Sequence, residues 1–424
     1  MHDARDARPA TGVVVDVKAE TGSAMPAWER DARGELLVAG QPLSRVVAAV
    51  GSTPCYLYDR ERITRRVRGL RGAMPPDVLL HYAMKANPMP ALVGHVAGLV
   101  DGLDVASAGE LRVALDTGMA PEHISFAGPG KSDAELAQAV AAGILVNVES
   151  FREIAILARA GERLGCRPRV AIRVNLPFEL KASGMKMSGG ARQFGVDAEA
   201  VPDLLREVAG ADLGFEGFHM FAGSQNLRHA AIVEAQRKCY EQALEWQSLL
   251  PAPVRSLNLG GGFGIPYTPG EGALDLGPVL DNLGELSQRL QGDWPGGHIV
   301  IELGRYLVGE AGVYVSRVID RKVSRGQVFL VVDGGMHHHL AATGNFGQVI
   351  RRNYPVAVNR TDLGTETASV VGPLCTPLDL LADRMELDRA EPGDLVVVFQ
   401  SGAYGRSASP RAFLSHPEAV EALV

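Results

Sequence analysis

The chain has 424 residues, which at roughly 150 residues per domain predicts two or three domains, or one large barrel with an appendage, and excludes a lone small binding module. Hydrophobic residues at 46% and charged residues at 21% are ordinary globular usage and exclude a predominantly disordered chain. The net charge is −7, with no Lys/Arg block interleaved with aromatics, so no nucleic-acid partner is expected.

The opening residues are polar and mixed in charge, and no run reaches the ~18 apolar residues of a membrane span, so no membrane partner and a cytoplasmic location are expected. Four cysteines, Cys55, Cys166, Cys239 and Cys375, are too few and too dispersed for a disulfide framework, and no C-x-x-C is present. Glycine is the outlier, 49 residues where usual composition is about 7%, which predicts many tight turns and backbone lying close to a ligand.

In chain order, residues 1–25 lack periodic apolar patterning and read as a flexible leader. Residues 26–55 read as a strand segment that joins a β domain further on. Near Pro54 the pattern changes to short apolar runs separated by helical stretches, at 78–83, 99–105, 123–127, 144–148, 169–174, 215–220, 256–259 and 298–303. Eight such units over residues 56–308 predict an α/β fold, a (β/α)8 TIM barrel. Capping boxes Ser107-x-x-Glu110, Ser132-x-x-Glu135 and Ser150-x-x-Glu153 open helices after the second, third and fourth strands, and Asn87-Pro88 opens one after the first. From 309 to 424 the runs 313–319, 328–332, 367–371 and 395–400 carry few helical periods, predicting a mainly β C-terminal domain.

Barrel enzymes hold their reactive groups at the C-terminal ends of the strands. There the sequence places Lys85, Asp104, Arg173, His219 with Ser224, the glycines Gly260, Gly261 and Gly262, and Glu302 with Arg305 close behind. The glycine run can surround a phosphate with backbone N–H groups or serve as a flexible turn, and it does not match a nucleotide P-loop. A lysine at a buried strand end either pairs with a barrel carboxylate or supplies an amine for imine chemistry. His337, His338 and His339 are adjacent; side chains on a strand alternate faces, so they cannot converge on one metal ion, and a loop lining the pocket mouth is expected instead.

Five blocks, Tyr82–Asn87, Gly260–Tyr267, Glu302–Val308, Gly372–Cys375 and Gly402–Gly405, in this order, resemble the pyridoxal-phosphate-dependent decarboxylases of diaminopimelate and ornithine. The likeness runs from about residue 54 to 417 and implies the alanine racemase-like form of the barrel. It implies pyridoxal 5'-phosphate as cofactor, carried covalently by Lys85. Glu302 is implied to lie beside the cofactor's ring nitrogen, where alanine racemases place an arginine, which favours decarboxylation over racemisation.

By the same resemblance, Gly260, Gly261, Gly262, Ser224, Arg305 and Tyr404 surround the phosphate, and Asp104 and Arg173 flank the ring. Cys375 is implied to return a proton to the substrate carbon from the neighbouring subunit, which makes a homodimer with shared active sites. Phe221 occupies the slot of a stacking histidine.

The substrate-binding positions are Thr376, Asp379 and Arg305. Both named enzymes place an acid immediately after the cysteine to read a distal ammonium, whereas this chain has Thr376, and an uncharged group there would leave such a cation unpaired. The implied reaction is α-decarboxylation of an L-amino acid lacking a distal ammonium, acylated or linked to a carrier protein as a glutamyl group, as in the carrier-linked and exosortase-associated subgroups. The alternatives are a diaminopimelate decarboxylase making L-lysine and a non-catalytic homologue acting as a regulator.

Overall fold

The computed structural model describes residues 28–179, 185–186, 188–268, 270–346 and 351–424. The leader expected over residues 1–25 and the loop residue Gly347 lie outside them. Beyond Trp28 the chain forms a short hairpin, Leu37–Val38 with Gln41–Pro42, and then helix α1 (Leu43–Val50). Leu43, Val46 and Val47 turn inward and share a small core with Val313, Val315, Val397 and Phe399. The expected strand segment over 26–55 is thus mostly a hairpin and helix packed on the β domain. Among its described residues, only those of β1 (Cys55–Tyr58) enter its sheet.

The barrel strands are β2 (Val78–Ala83), β3 (Gly102–Val105), β4 (Ile124–Phe126), β5 (Leu145–Val148), β6 (Arg169–Asn175), β7 (Gly214–Met220), β8 (Ser256–Gly261) and β9 (His298–Leu303). Each pairs in parallel with the next and β9 closes on β2. Near-continuous apolar runs form these strands because helices cover their outer faces. Phe218 of β7, for example, is fully buried against Trp246 at 5.2 Å between ring centroids.

Helix starts follow the capping chemistry unevenly. The expected helix after β2 begins at Pro90, not Pro88 (α2, Pro90–Ala97), because Asn87 is engaged elsewhere: its Oδ1 accepts from Met89 N and its Nδ2 donates to Gly402 O at 2.9 Å. Ser107 caps α3 (Ala108–Asp116), and Ser132 with Glu135 forms the full reciprocal box on α4 (Asp133–Ala142). Ser150 makes no side-chain cap on α5 (Phe151–Leu164), since Glu153 turns inward to Lys131 Nζ at 3.1 Å and to Glu149 N. A buried lysine needs a counter-charge more than a helix end needs a second cap.

The β domain is built on β10 (Gly312–Ser324), followed by β11 (Gln327–Val332), β12 (Val356–Val358), β13 (Thr365–Val371), β14 (Leu380–Asp388), β15 (Leu395–Val398) and β16 (Val420–Leu423). The first half of β10 lies between β1 and β15, and its second half forms a hairpin with β11. The order β12-β15-β10-β11-β13-β14 completes the sheet, with β16 parallel to β1. Arg325 and Gly326, both at positive φ, make the two-residue turn of that hairpin.

Candidate active site

The ends of β2, β7, β8 and β9 and the turn at 402–405 enclose a cleft. It is lined by Lys85, Phe221, Ser224, Gly262, Glu302, Arg305 and Tyr404, among others. Lys85 follows β2 on a single 3-10 turn, exposed to the cleft and in no salt bridge among the described residues, its ammonium 5.2 Å from the Phe221 ring centroid. The pairing of this lysine with a barrel carboxylate, left open by the sequence, is not what the fold builds.

Glycine is required where β8 ends because the backbones of β9 and of the segment after β7 crowd it. A Cβ on Gly262 (φ +73°) would lie 2.0 Å from Gly223 O, and one on Gly261 would lie 2.1 Å from Glu302 O. The resulting close approach leaves bare backbone beside Ser224 and Arg305. Gly402 and Gly405 have another cause: their missing side chains make room for Val308 O and the Tyr56 ring. Tyr404, at φ +53°, is held by its N–H donating to Ala86 O at 2.7 Å, which fastens the β domain to the lysine turn.

Arg305 opens helix α6 (Arg305–Val308) and lies between two tyrosines. Its guanidinium donates to the Tyr267 hydroxyl at 2.7 Å and sits 4.6 Å from the Tyr404 ring centroid, while its buried Nε has no partner. An orphaned, buried donor on a half-buried, permanently charged group is suited to an anion. Opposite it, Glu302 accepts from His219 Nε2 at 2.8 Å. Burial works against ionisation of Glu302, but His219, Lys85 and Arg173 outweigh it and hold the carboxyl down at about 2.

Asp104 and Arg173 are not among the residues lining this cleft, and both have protein partners. Asp104 Oδ1 accepts from Ser125 Oγ at 2.6 Å and contacts His81 Nδ1 at 3.0 Å, leaving Oδ2 buried and unpartnered. Burial lowers the His81 pKa and Asp104 raises it, with a net upward shift. Arg173 donates to Glu149 at 3.0 Å beneath the Phe194 ring.

Cys375 and Thr376 lie on a turn of the same chain outside the cleft lining, Cys375 exposed. Asp379 is 3% exposed, and its two oxygens accept from Met336 N and Leu374 N. It is a clamp between two loops, each of its oxygens accepting from one backbone N–H.

The three histidines also differ from expectation. They are buried inside the β domain and do not line a pocket mouth. His338 contacts Pro417 O at 2.8 Å, His339 contacts Ser401 Oγ at 2.9 Å, and both ring nitrogens of His337 are unpartnered.

The cleft therefore offers an amine, an ionised carboxylate, an aromatic face and an anion-ready arginine beside a glycine turn. That donor set fits pyridoxal phosphate, with phosphate at one end and ring nitrogen at the other. Sequence reasoning left Tyr267 and Glu149 unassigned, although Tyr267 ends one of the quoted blocks, and named His219 only by its place at a strand end.

This barrel and cleft are those of a pyridoxal-phosphate-dependent decarboxylase. The family model described as pyridoxal-dependent decarboxylase, pyridoxal binding domain, matches residues 60–309, and the chain belongs to that family. It is 39% identical over 381 residues, 88% of each chain, to the L-glutamyl-(BtrI acyl-carrier protein) decarboxylase of Niallia circulans. It is 33% identical over 402 residues, 92% of this chain and 91% of the relative, to the diaminopimelate decarboxylase of Aquifex aeolicus. The solved diaminopimelate decarboxylase of M. jannaschii in co-complex with L-lysine superposes with a TM-score of 0.84 at 25% identity, covering 94% of this chain and 92% of that one.

The chain is accordingly an amino-acid decarboxylase using pyridoxal phosphate. No helix among the described residues is long and apolar enough to cross a membrane.

Proposed function

We propose that this decarboxylase acts on the α-carboxylate of an L-glutamyl group carried on an acyl-carrier protein, or of a similarly acylated amino acid without a distal ammonium. The carrying observation is the turn after β13. Between Gly372 and Asp379 the only carboxylate is Asp379, buried and bound to two backbone N–H groups. Thr376 directly follows Cys375 and has no charge to offer a cation. A glutamyl chain presents none, and the similarity to a glutamyl-carrier decarboxylase supports the same reading.

In this reading Lys85 would hold the cofactor covalently through its amine, Arg305, Ser224, Tyr404 and the Gly260–Gly262 backbone would hold its phosphate, and Phe221 would offer an aromatic face to the ring. Glu302 would favour the protonated form of the ring nitrogen through its negative charge. Bound pyridoxal phosphate supplies the electron sink for the pair left by the departing carboxylate. Cys375 of a second subunit returns a proton to the substrate carbon, so the working unit is a homodimer in the cytoplasm.

The test is direct competition of substrates. Purified protein should release CO2 from a glutamyl-loaded carrier protein, read as the mass loss of the acyl group, and give no more than trace L-lysine from meso-diaminopimelate. Efficient lysine formation with an unchanged glutamyl-carrier mass would replace the proposed substrate by diaminopimelate.

A further inference from the structure

His219 hydrogen-bonds Glu302 but holds no cofactor or substrate group in the proposed function. It lies on β7 at 2% exposure and faces Glu302 on β9 at 5% exposure. Its Nε2 meets Glu302 Oε2 at 2.8 Å, and Asn258 of the intervening β8 reaches the same oxygen at 3.4 Å. Glu302 Oε1 has no hydrogen-bond partner among the described residues, and Glu302 lines the cleft. His219 Nδ1 is buried and unpartnered. A carboxylate can only accept, so Nε2 carries the proton of this contact.

We propose that His219 is a positioning residue for the cofactor ring: it commits Glu302 Oε2, leaving Oε1 for the ring nitrogen. This rests on the reading of Glu302 as the partner of that nitrogen. The Phe221 side chain, which lines the cleft, carries no polar atom, so hydrogen-bonded control of the ring would run through its edge. The charged and titratable groups around Glu302 are Lys85 after β2, Arg173 on β6, His219 on β7 and His81, its register partner on β2, with Asp104.

Two substitutions separate positioning from packing. In His219→Gln the amide nitrogen can reach the place of Nε2, whereas in His219→Asn the shorter side chain reaches only the place of Nδ1. Apo-protein is titrated with pyridoxal phosphate, the visible absorbance of the loaded protein is followed against pH, and kcat and KM are measured. Loss of one hydrogen bond to a charged group predicts that His219→Asn weakens cofactor binding about tenfold and lowers kcat about 10–100-fold with KM within about twofold. Its absorbance midpoint for the protonated ring moves to lower pH, and His219→Gln returns all three readouts toward wild type.

Equal behaviour of the two variants, with wild-type affinity and midpoint, overturns the proposal. Glu302→Gln distinguishes the underlying reading. If it leaves the absorbance titration unchanged, Glu302 does not meet the ring nitrogen; if it abolishes the titration while His219→Asn is silent, only the positioning role fails.

Discussion

Removing Lys85 and removing Cys375 act on different atoms, and the proposed roles require different failures. Lys85→Ala removes the only amine among the described residues of the cleft lining, so the visible absorbance that borohydride abolishes should be missing and kcat should fall by at least about 10³-fold. Cys375→Ala leaves every cleft-lining group in place. It should keep the cofactor absorbance while slowing amine formation or diverting product to an aldehyde, read by mass spectrometry of the products. Wild-type product and rate from Cys375→Ala would remove the cysteine from the chemistry.

A second residue, His337, bears on stability. Burial, with His338 and His416 adding to it, pushes its pKa down to about 4 from an ordinary value of about 6.5. The folded protein therefore resists a proton that the unfolded chain accepts. Its contribution is fully present above about pH 6.5 and is lost as pH falls toward about 4. His337→Phe keeps an aromatic ring beside His338, whose centroid lies 3.7 Å away. Between pH 7.5 and 4.5 the fall in melting temperature should be smaller by about 2–4 °C in the variant, measured by differential scanning fluorimetry.

Among the elements, the turn carrying Cys375 is fixed by the carboxylate of Asp379. Gly335 and Gly372 pack so closely on that carboxylate that a Cβ on either would lie 2.1 to 2.3 Å from one of its oxygens. Asp379→Ala strands two buried N–H groups, those of Met336 and Leu374, and should cost about 2–5 kcal/mol in urea unfolding. Asp379→Asn keeps one accepting oxygen and should cost about half as much. Alkylation of Cys375 by iodoacetamide should quicken in Asp379→Ala as its turn loosens; an unchanged rate and midpoint would mean that the clamp carries no load.

The barrel was readable because its strands are buried on both faces and separated by capped helices, so each of the eight runs contains the core of an observed strand. The β domain was read less completely. Its Leu380–Asp388 strand mixes buried and exposed positions around register shifts against β13, and Val420–Leu423 is rich in helix-forming residues yet pairs with β1. Ser150 and Asn87 show how tertiary contacts displace local capping: a buried lysine claims Glu153, and the 402–405 turn claims Asn87. In the site, strand-end position identified Lys85, Glu302 and Arg305. It could not identify Asp379 as a clamp, because that depends on two loops 43 and 5 residues away in sequence.

At the scale of the whole molecule, the cleft of one chain contains the amine, the carboxylate and the anion site but not Cys375, which stands exposed on the β domain. If two subunits complete each other's clefts, every active site draws Lys85 from one chain and Cys375 from its partner. Lys85→Ala and Cys375→Ala homodimers then have two defective sites each. Unfolding and refolding an equal mixture gives half mixed dimers, and each of these has one site with both residues intact and one with neither. Amine formation should therefore recover to about a quarter of the wild-type rate per subunit, well above either parent. A mixture no more active than the sum of its parents, with mixed dimers verified by native mass spectrometry, would place both residues in the same chain's site.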